Sequence, residues 1–279
     1  MRGLVVSVPI ADADVAADIL WQLGVRAIEE RPSTEGTVEL WTTVGDAADA
    51  TTRARRALGE RWAVRVVELE TTAADTWRDF AGPMWVDDAL VIVPAWQADP
   101  RLAGAGDPTT AAVAVAIEPG GAFGLGDHPT TLLSVRAARR HLHDAGEVLD
   151  VGCGTGVIAV VAAVTGGVPV RAVDVASAAV EATRDNAERN GVADLVEADT
   201  TPLGDLDGCF DLVVANILAP TLIALAADLR RLTAAGGRLV VSGILADRHD
   251  HVLAALAPML VERTDTLDGW AAVTLRHPA

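Results

Sequence analysis

Two periods of apolar residues alternate along this chain. Leu4–Val8 is a short β-branched run and predicts a strand. Val15, Ile19, Leu20 and Leu23 then recur at helical spacing. They predict a helix over 11–23, with Asp12 as its candidate N-cap and Gly24 as its stop. Strands are expected at 25–30, 37–42 and 62–69, and a second helix at 47–58. The order β-α-β-β-α-β predicts a small split-βαβ, ferredoxin-like α+β domain over residues 1–70. Residues 71–83 lose the pattern and read as a linker.

From residue 84 to 279 the pattern changes. Strands at 89–94 and 111–117 flank a Gly/Pro/Asp-rich stretch, and a helix follows from about Leu132. Beyond residue 147, strands at 148–151, 170–173, 194–198, 210–215 and 238–242 alternate with helices at 157–164, 177–190 and 220–232. Gly236-Gly237 is expected to end the last of these helices. A helix over 247–260 and a strand at 270–276 close the chain. This alternation predicts an α/β, Rossmann-like doubly wound sheet, with ligands in the crevice beyond the strand C-termini.

The most specific pattern is Val-Leu-Asp-Val-Gly-Cys-Gly-Thr-Gly at 148–156. A strand ends in a carboxylate and enters a turn with Gly152, Gly154 and Gly156 at alternate positions. Such a turn lets a ligand lie against bare backbone. A dinucleotide-binding turn would need a glycine at 157, where Val157 stands, so nicotinamide chemistry is disfavoured. Asp150 is placed to accept from a ligand ammonium group. Asp174 ends the next strand 22 positions after Gly152, about the offset at which a carboxylate grips ribose hydroxyls. Asn216 ends a later strand and offers an amide to an arriving amine. The stretch Ala-Phe-Gly-Leu-Gly-Asp-His-Pro-Thr-Thr at 122–131 precedes a helix. In it Phe123 and Gly124 are expected to touch the ligand. Thr130 and Thr131 can cap the helix. His128 reads as a base or as a residue that positions a lid.

Composition narrows the partners. The net charge is −17 and all 22 basic residues are arginine, which disfavours non-specific nucleic-acid binding and permits a basic protein partner. The two cysteines, Cys153 and Cys209, have no metal-ligand spacing and imply no disulfide framework. The uncharged stretch 151–170 is broken by glycines and a proline, so no membrane span is expected. A cytoplasmic monomer without a metal is the expectation.

Together these motifs resemble the PrmA-type ribosomal protein L-11 methyltransferases. Glu-Ala-Thr-Arg-Asp-Asn-Ala-Glu-Arg-Asn-Gly at 181–191 and Val-Ala-Asn-Ile-Leu-Ala at 214–219 also match that family. The resemblance implies a class I methyltransferase domain behind a substrate-recognition domain. It implies S-adenosyl-L-methionine as methyl donor, with Thr131, Gly152, Asp174 and Asn216 as donor-binding positions and Asn216 beside the reacting amine. It further implies transfer to lysine or N-terminal amines of ribosomal protein L-11, free or during ribosome assembly. Two rivals stay open: a same-fold enzyme acting on another protein lysine or a small-molecule amine, and a non-catalytic donor-binding assembly factor.

Overall fold

A computed structural model of the chain describes residues 2–23, 25, 28–33, 36–43, 48–58, 61–68, 82–97, 112–118 and 128–278. The chain forms two compact units, Met1–Ala81 and Gly82–Ala279. The sequence-predicted linker at 71–83 lies outside the described residues except for its last two positions.

In the first unit, β1 (Arg2–Pro9), α1 (Ala13–Gln22), β2 (Ile28–Pro32), β3 (Thr37–Thr43), α2 (Ala48–Leu58) and β4 (Ala63–Glu68) follow the expected order. The sheet order is β2-β3-β1-β4, every neighbour antiparallel. This is the split-βαβ arrangement. Leu4, Val6 and Val8 of β1 pack with Leu40, Ala16, Leu20 and Trp62 in one core. Asp12 immediately precedes α1. It lies in a 3₁₀ turn, and its carboxylate accepts from the Trp62 indole N–H at 3.1 Å. Pro32 closes β2; an edge strand tolerates the missing donor.

The second unit holds two sheets. The smaller, in order β5-β6-β7, comprises β5 (Met84–Asp87), β6 (Leu90–Pro94) and β7 (Val113–Ile117). Then come α3 (Pro129–Arg139), β8 (Val148–Val151), α4 (Val157–Gly166), β9 (Val170–Val173), α5 (Ser177–Arg189), β10 (Val196–Asp199) and β11 (Phe210–Asn216). They are followed by α6 (Ala219–Ala224), α7 (Ala226–Leu232), β12 (Thr233–Leu245), α8 (Asp250–Ala255), β13 (Leu260–Leu267) and β14 (Trp270–Arg276). The larger sheet runs β10-β9-β8-β11-β12-β14-β13. Strands β8 to β12 are parallel, β14 pairs antiparallel with β12, and β13 pairs antiparallel with β14. Chain order reverses between β8 and β11, so the ligand crevice is expected at their C-terminal ends.

Strand alternation feeds two cores. Val148, Leu212, Val214 and Val240 face the core shared with α3, α4, α5 and the smaller sheet. Leu149, Val213, Ala215 and Leu239 face the core under α6, α7 and α8. Helix α4 touches both sheets, which explains why its residues from Val157 to Ala163 are apolar all round and all buried.

Several boundaries differ from expectation. Helix α3 starts at Pro129 rather than near Leu132, because His128 is the cap and proline suits the first helical position. The helix expected at 220–232 breaks at Leu225, where no glycine or proline marks it. Gly236 and Gly237 lie inside β12, at an irregularity in its pairing with β11, and do not end a helix. The helix expected to reach 260 ends at Ala255, ahead of Pro258, and 260–267 forms the edge strand β13. An edge strand needs no strict apolar alternation, and β13 shows none. No described helix is long and apolar enough to cross a membrane.

Candidate active site

The glycine turn joins β8 to α4. Gly152, Gly154 and Gly156 all have left-handed backbone, with φ of 71°, 55° and 75°. The turn is fastened to the neighbouring strand, since the N–H groups of Gly152 and Cys153 both donate to the Val173 carbonyl, at 2.8 and 3.1 Å. At Gly152 a side chain is excluded twice. Its φ disfavours one, and a Cβ would lie 2.4 Å from Ile217 Cγ2. That close approach places the segment after β11 directly against the glycine turn.

Asp174 follows β9 and is half-buried. Its Oδ2 accepts from the Gly154 N–H at 3.0 Å and its Oδ1 from the Ala176 N–H at 2.9 Å. The carboxylate is therefore held beside the turn with lone pairs remaining for a ligand. Next to it Val175 is fully exposed, an apolar side chain presented to solvent where a flat base could lie. Sequence pattern did not single out Val175, because an apolar residue after a strand reads as core.

Asp150 is only 1% exposed and faces inward. Its Oδ2 accepts from the Ala159 N–H in the first turn of α4, at 3.1 Å, while its Oδ1 is buried without a hydrogen-bond partner. Burial pushes the carboxyl up to about 7; the Ala159 N–H opposes this, and the nearby Asp174 charge adds to it. The buried Cys153 thiol is likewise pushed up, first by burial and then by Asp150. Such a thiol is inert as a nucleophile. Among the described residues no cluster of three His, Cys, Asp or Glu could hold a metal.

Asn216 ends β11 in register with Ser242 of β12. Ser242 is fully buried; its hydroxyl donates to the Ala271 carbonyl at 3.0 Å and reaches the Thr130 carbonyl at 3.4 Å. This ties the first turn of α3, with the buried Thr131, to the strand beside Asn216. Gly243 supports the same loop, for a Cβ there would lie 2.6 Å from the Ile217 carbonyl oxygen. Ile217, Ser242 and Gly243 were not legible as site residues, since each acts through a contact between distant segments.

His128, not Thr130 or Thr131, caps α3. Its Nδ1 accepts from the Thr130 N–H at 3.3 Å and lies 2.8 Å from the Thr130 hydroxyl. Its ring sits edge-on to Trp270 with centroids 5.0 Å apart. Phe123 and Gly124 lie outside the described residues. Gly152, Gly154, Asp174 and Asn216 thus gather at the C-terminal ends of β8, β9 and β11, with Thr131 linked in through Ser242. Bare turn backbone, a half-buried carboxylate and an exposed valine suit a nucleoside.

The family model described as ribosomal protein L11 methyltransferase (PrmA) matches residues 11–278. A ribosomal protein L11 methyltransferase of an Exiguobacterium species is 37% identical over 75% of this chain and 66% of its own length, so that match spans just under two thirds of the relative. The protein of the same name from Bordetella bronchiseptica is 35% identical over 97% of both chains. The crystal structure of a ribosomal protein L11 methylase from Lactobacillus delbrueckii subsp. bulgaricus superposes with a TM-score of 0.63 at 28% identity. It covers 71% of this chain and all of that one.

Proposed function

The chain belongs to the ribosomal protein L11 methyltransferase (PrmA) family, and we propose that it transfers methyl groups from S-adenosyl-L-methionine to amines of ribosomal protein L11. The observation that carries this reading is the close approach of Gly152 to Ile217, which brings the glycine turn against the segment directly after Asn216. Residues 84–279 form the donor unit, residues 1–70 recognise the protein substrate, and 71–83 link them.

Thr131, Gly152, Gly154 and Asp174 bind the donor, with Asp174 accepting from the ribose hydroxyls. Phe123 and Gly124 complete the donor loop. Asp150 acts from beneath the turn, fixing the start of α4 through the Ala159 N–H. When bound, the donor supplies an electrophilic methyl on a sulfonium. The protein has to align, desolvate and exclude water. The attacking amine must be neutral, at a cost of about 4–5 kcal/mol for a lysine at pH 7 and about 1 kcal/mol for an α-amine. His128, whose Nδ1 accepts from the Thr130 N–H, is assigned the α3 cap rather than the base. The proton leaves to solvent, and the Asn216 amide oxygen then accepts from the free amine and directs its lone pair. The enzyme acts as a cytoplasmic monomer on L11, free or during ribosome assembly, without binding nucleic acid.

Incubation with methyl-labelled S-adenosylmethionine and unmethylated ribosomal proteins tests this. The expected result is label on L11 alone, at amino groups located by mass spectrometry. Label on other proteins but not L11 overturns the substrate assignment, and no label despite donor binding leaves a cofactor sensor.

A further inference from the structure

Helix α5 carries a polar seam on its buried face. Thr183 and Asn186 are each fully buried, one turn apart, and Asn190 follows one turn later. The Thr183 hydroxyl lies 3.2 Å from the Gly154 carbonyl oxygen and 3.2 Å from Cys153 Sγ. Asn186 Nδ2 donates one hydrogen to the Thr155 carbonyl and the other to the Glu118 carbonyl, both at 2.9 Å. Its Oδ1 accepts from the Glu118 N–H at 2.9 Å and also from Arg189. The amide is therefore used to capacity, which fixes its orientation. Asn190 repeats the pattern one step along: it accepts from the Ala116 N–H at 2.9 Å and donates to the Ala116 carbonyl at 2.8 Å.

Ala116 and Glu118 are alternate residues, so their N–H and C=O groups point to the same side. That side is the free edge of β7, whose other edge pairs with β6. Two side-chain amides thus close a sheet edge as a neighbouring strand would. Only Thr183 and Asn186 also reach the glycine turn, where they hold two consecutive carbonyls, those of Gly154 and Thr155.

We infer that Thr183 and Asn186 are positioning residues for the methyl donor. By holding both carbonyls on the α5 side, they keep the peptide planes of the glycine turn from rotating a carbonyl oxygen into the ligand crevice. Asn186 further locks the turn to Glu118, four positions before the 122–131 motif, so turn and β7 hold together. Neither residue touches the ligand. Asn190 serves the β7 edge and the Asn186 carbonyl, to which its Nδ2 also donates at 2.8 Å, and does not reach the glycine turn. This rests on the donor-binding reading given above.

The test compares Asn186→Ala, Thr183→Val and Asn190→Ala with the wild type, titrating S-adenosylhomocysteine calorimetrically and recording the thermal midpoint. The wild type binds; failure to bind overturns the donor reading and this inference with it. Asn186→Ala is expected to weaken binding about tenfold or more, and the near-isosteric Thr183→Val several-fold. In turnover both raise KM for the donor and leave KM for the protein substrate unchanged. Asn190→Ala is expected to lower the thermal midpoint while binding the donor within about twofold of wild type. If Asn186→Ala fails to fold, Thr183→Val carries the same comparison. Wild-type donor affinity in Asn186→Ala or Thr183→Val overturns the inference. So does equal weakening in all three variants, which would mark the seam as structural only.

Discussion

Replacing Asp150 by asparagine removes one ionisation from the core at nearly constant shape. In the folded protein burial holds this carboxyl near 7, against 3.8 for an ordinary one. The folded state therefore binds more protons than the unfolded state between these two values. Stability from this group is greatest below pH 4 and falls as pH rises, levelling off above 7, where the full difference amounts to roughly 4 kcal/mol. Between pH 5 and pH 8 the two titration curves give a loss of about 2.5 kcal/mol in the wild type that Asp150→Asn lacks. Urea unfolding at a series of pH values measures it. Every other titrating group is common to both proteins, so the difference between the two stability profiles isolates Asp150. Any fixed cost of seating the asparagine amide shifts the whole profile without changing its slope. Parallel profiles would refute the claim that this carboxyl is raised. A wild type that gains stability relative to the variant with rising pH would refute the sign.

Two further outcomes follow from the crevice. Gly243→Ala would place a Cβ 2.6 Å from the Ile217 carbonyl oxygen at a φ of 81°. Urea unfolding should show a loss above about 2 kcal/mol, because steric conflict with backbone adds to the left-handed penalty of about 1–2 kcal/mol. Gly191→Ala, with φ of 70° and nothing within 4 Å, should show only that penalty; equal losses would dismiss the Ile217 contact. Asp174→Ala should weaken S-adenosylhomocysteine binding by at least about 100-fold, from two charge-assisted hydrogen bonds at about 1.5–3 kcal/mol each. Near-normal affinity by calorimetry would remove Asp174 from the ribose.

Local signals and tertiary contacts contributed differently to this protein. The turn at 148–156 was readable because glycine alone enters left-handed backbone cheaply, and three at alternate positions leave little else to explain them. Strands β8, β9 and β11 were readable because each is largely buried on both faces and so is mostly apolar. The family resemblance lay in such short contiguous motifs. Two edge strands were not readable: β5 is four residues long, and β13 faces water with charged residues where a buried strand would alternate. The site was half legible. Gly152, Asp174 and Asn216 stand at strand ends, where their positions could be read, but that Asp150 is buried under the turn, where burial rather than sequence position sets its charge, could not. The motif at 181–191 could be matched without being understood. Only folding brought Thr183 and Asn186 against the carbonyls of Gly154 and Thr155, Ile217 against Gly152, and Ser242 beside Thr130. Those contacts join segments from 29 to 112 positions apart. Residue identity determined which turn could form; packing between distant segments decided which of its faces stays open to a ligand.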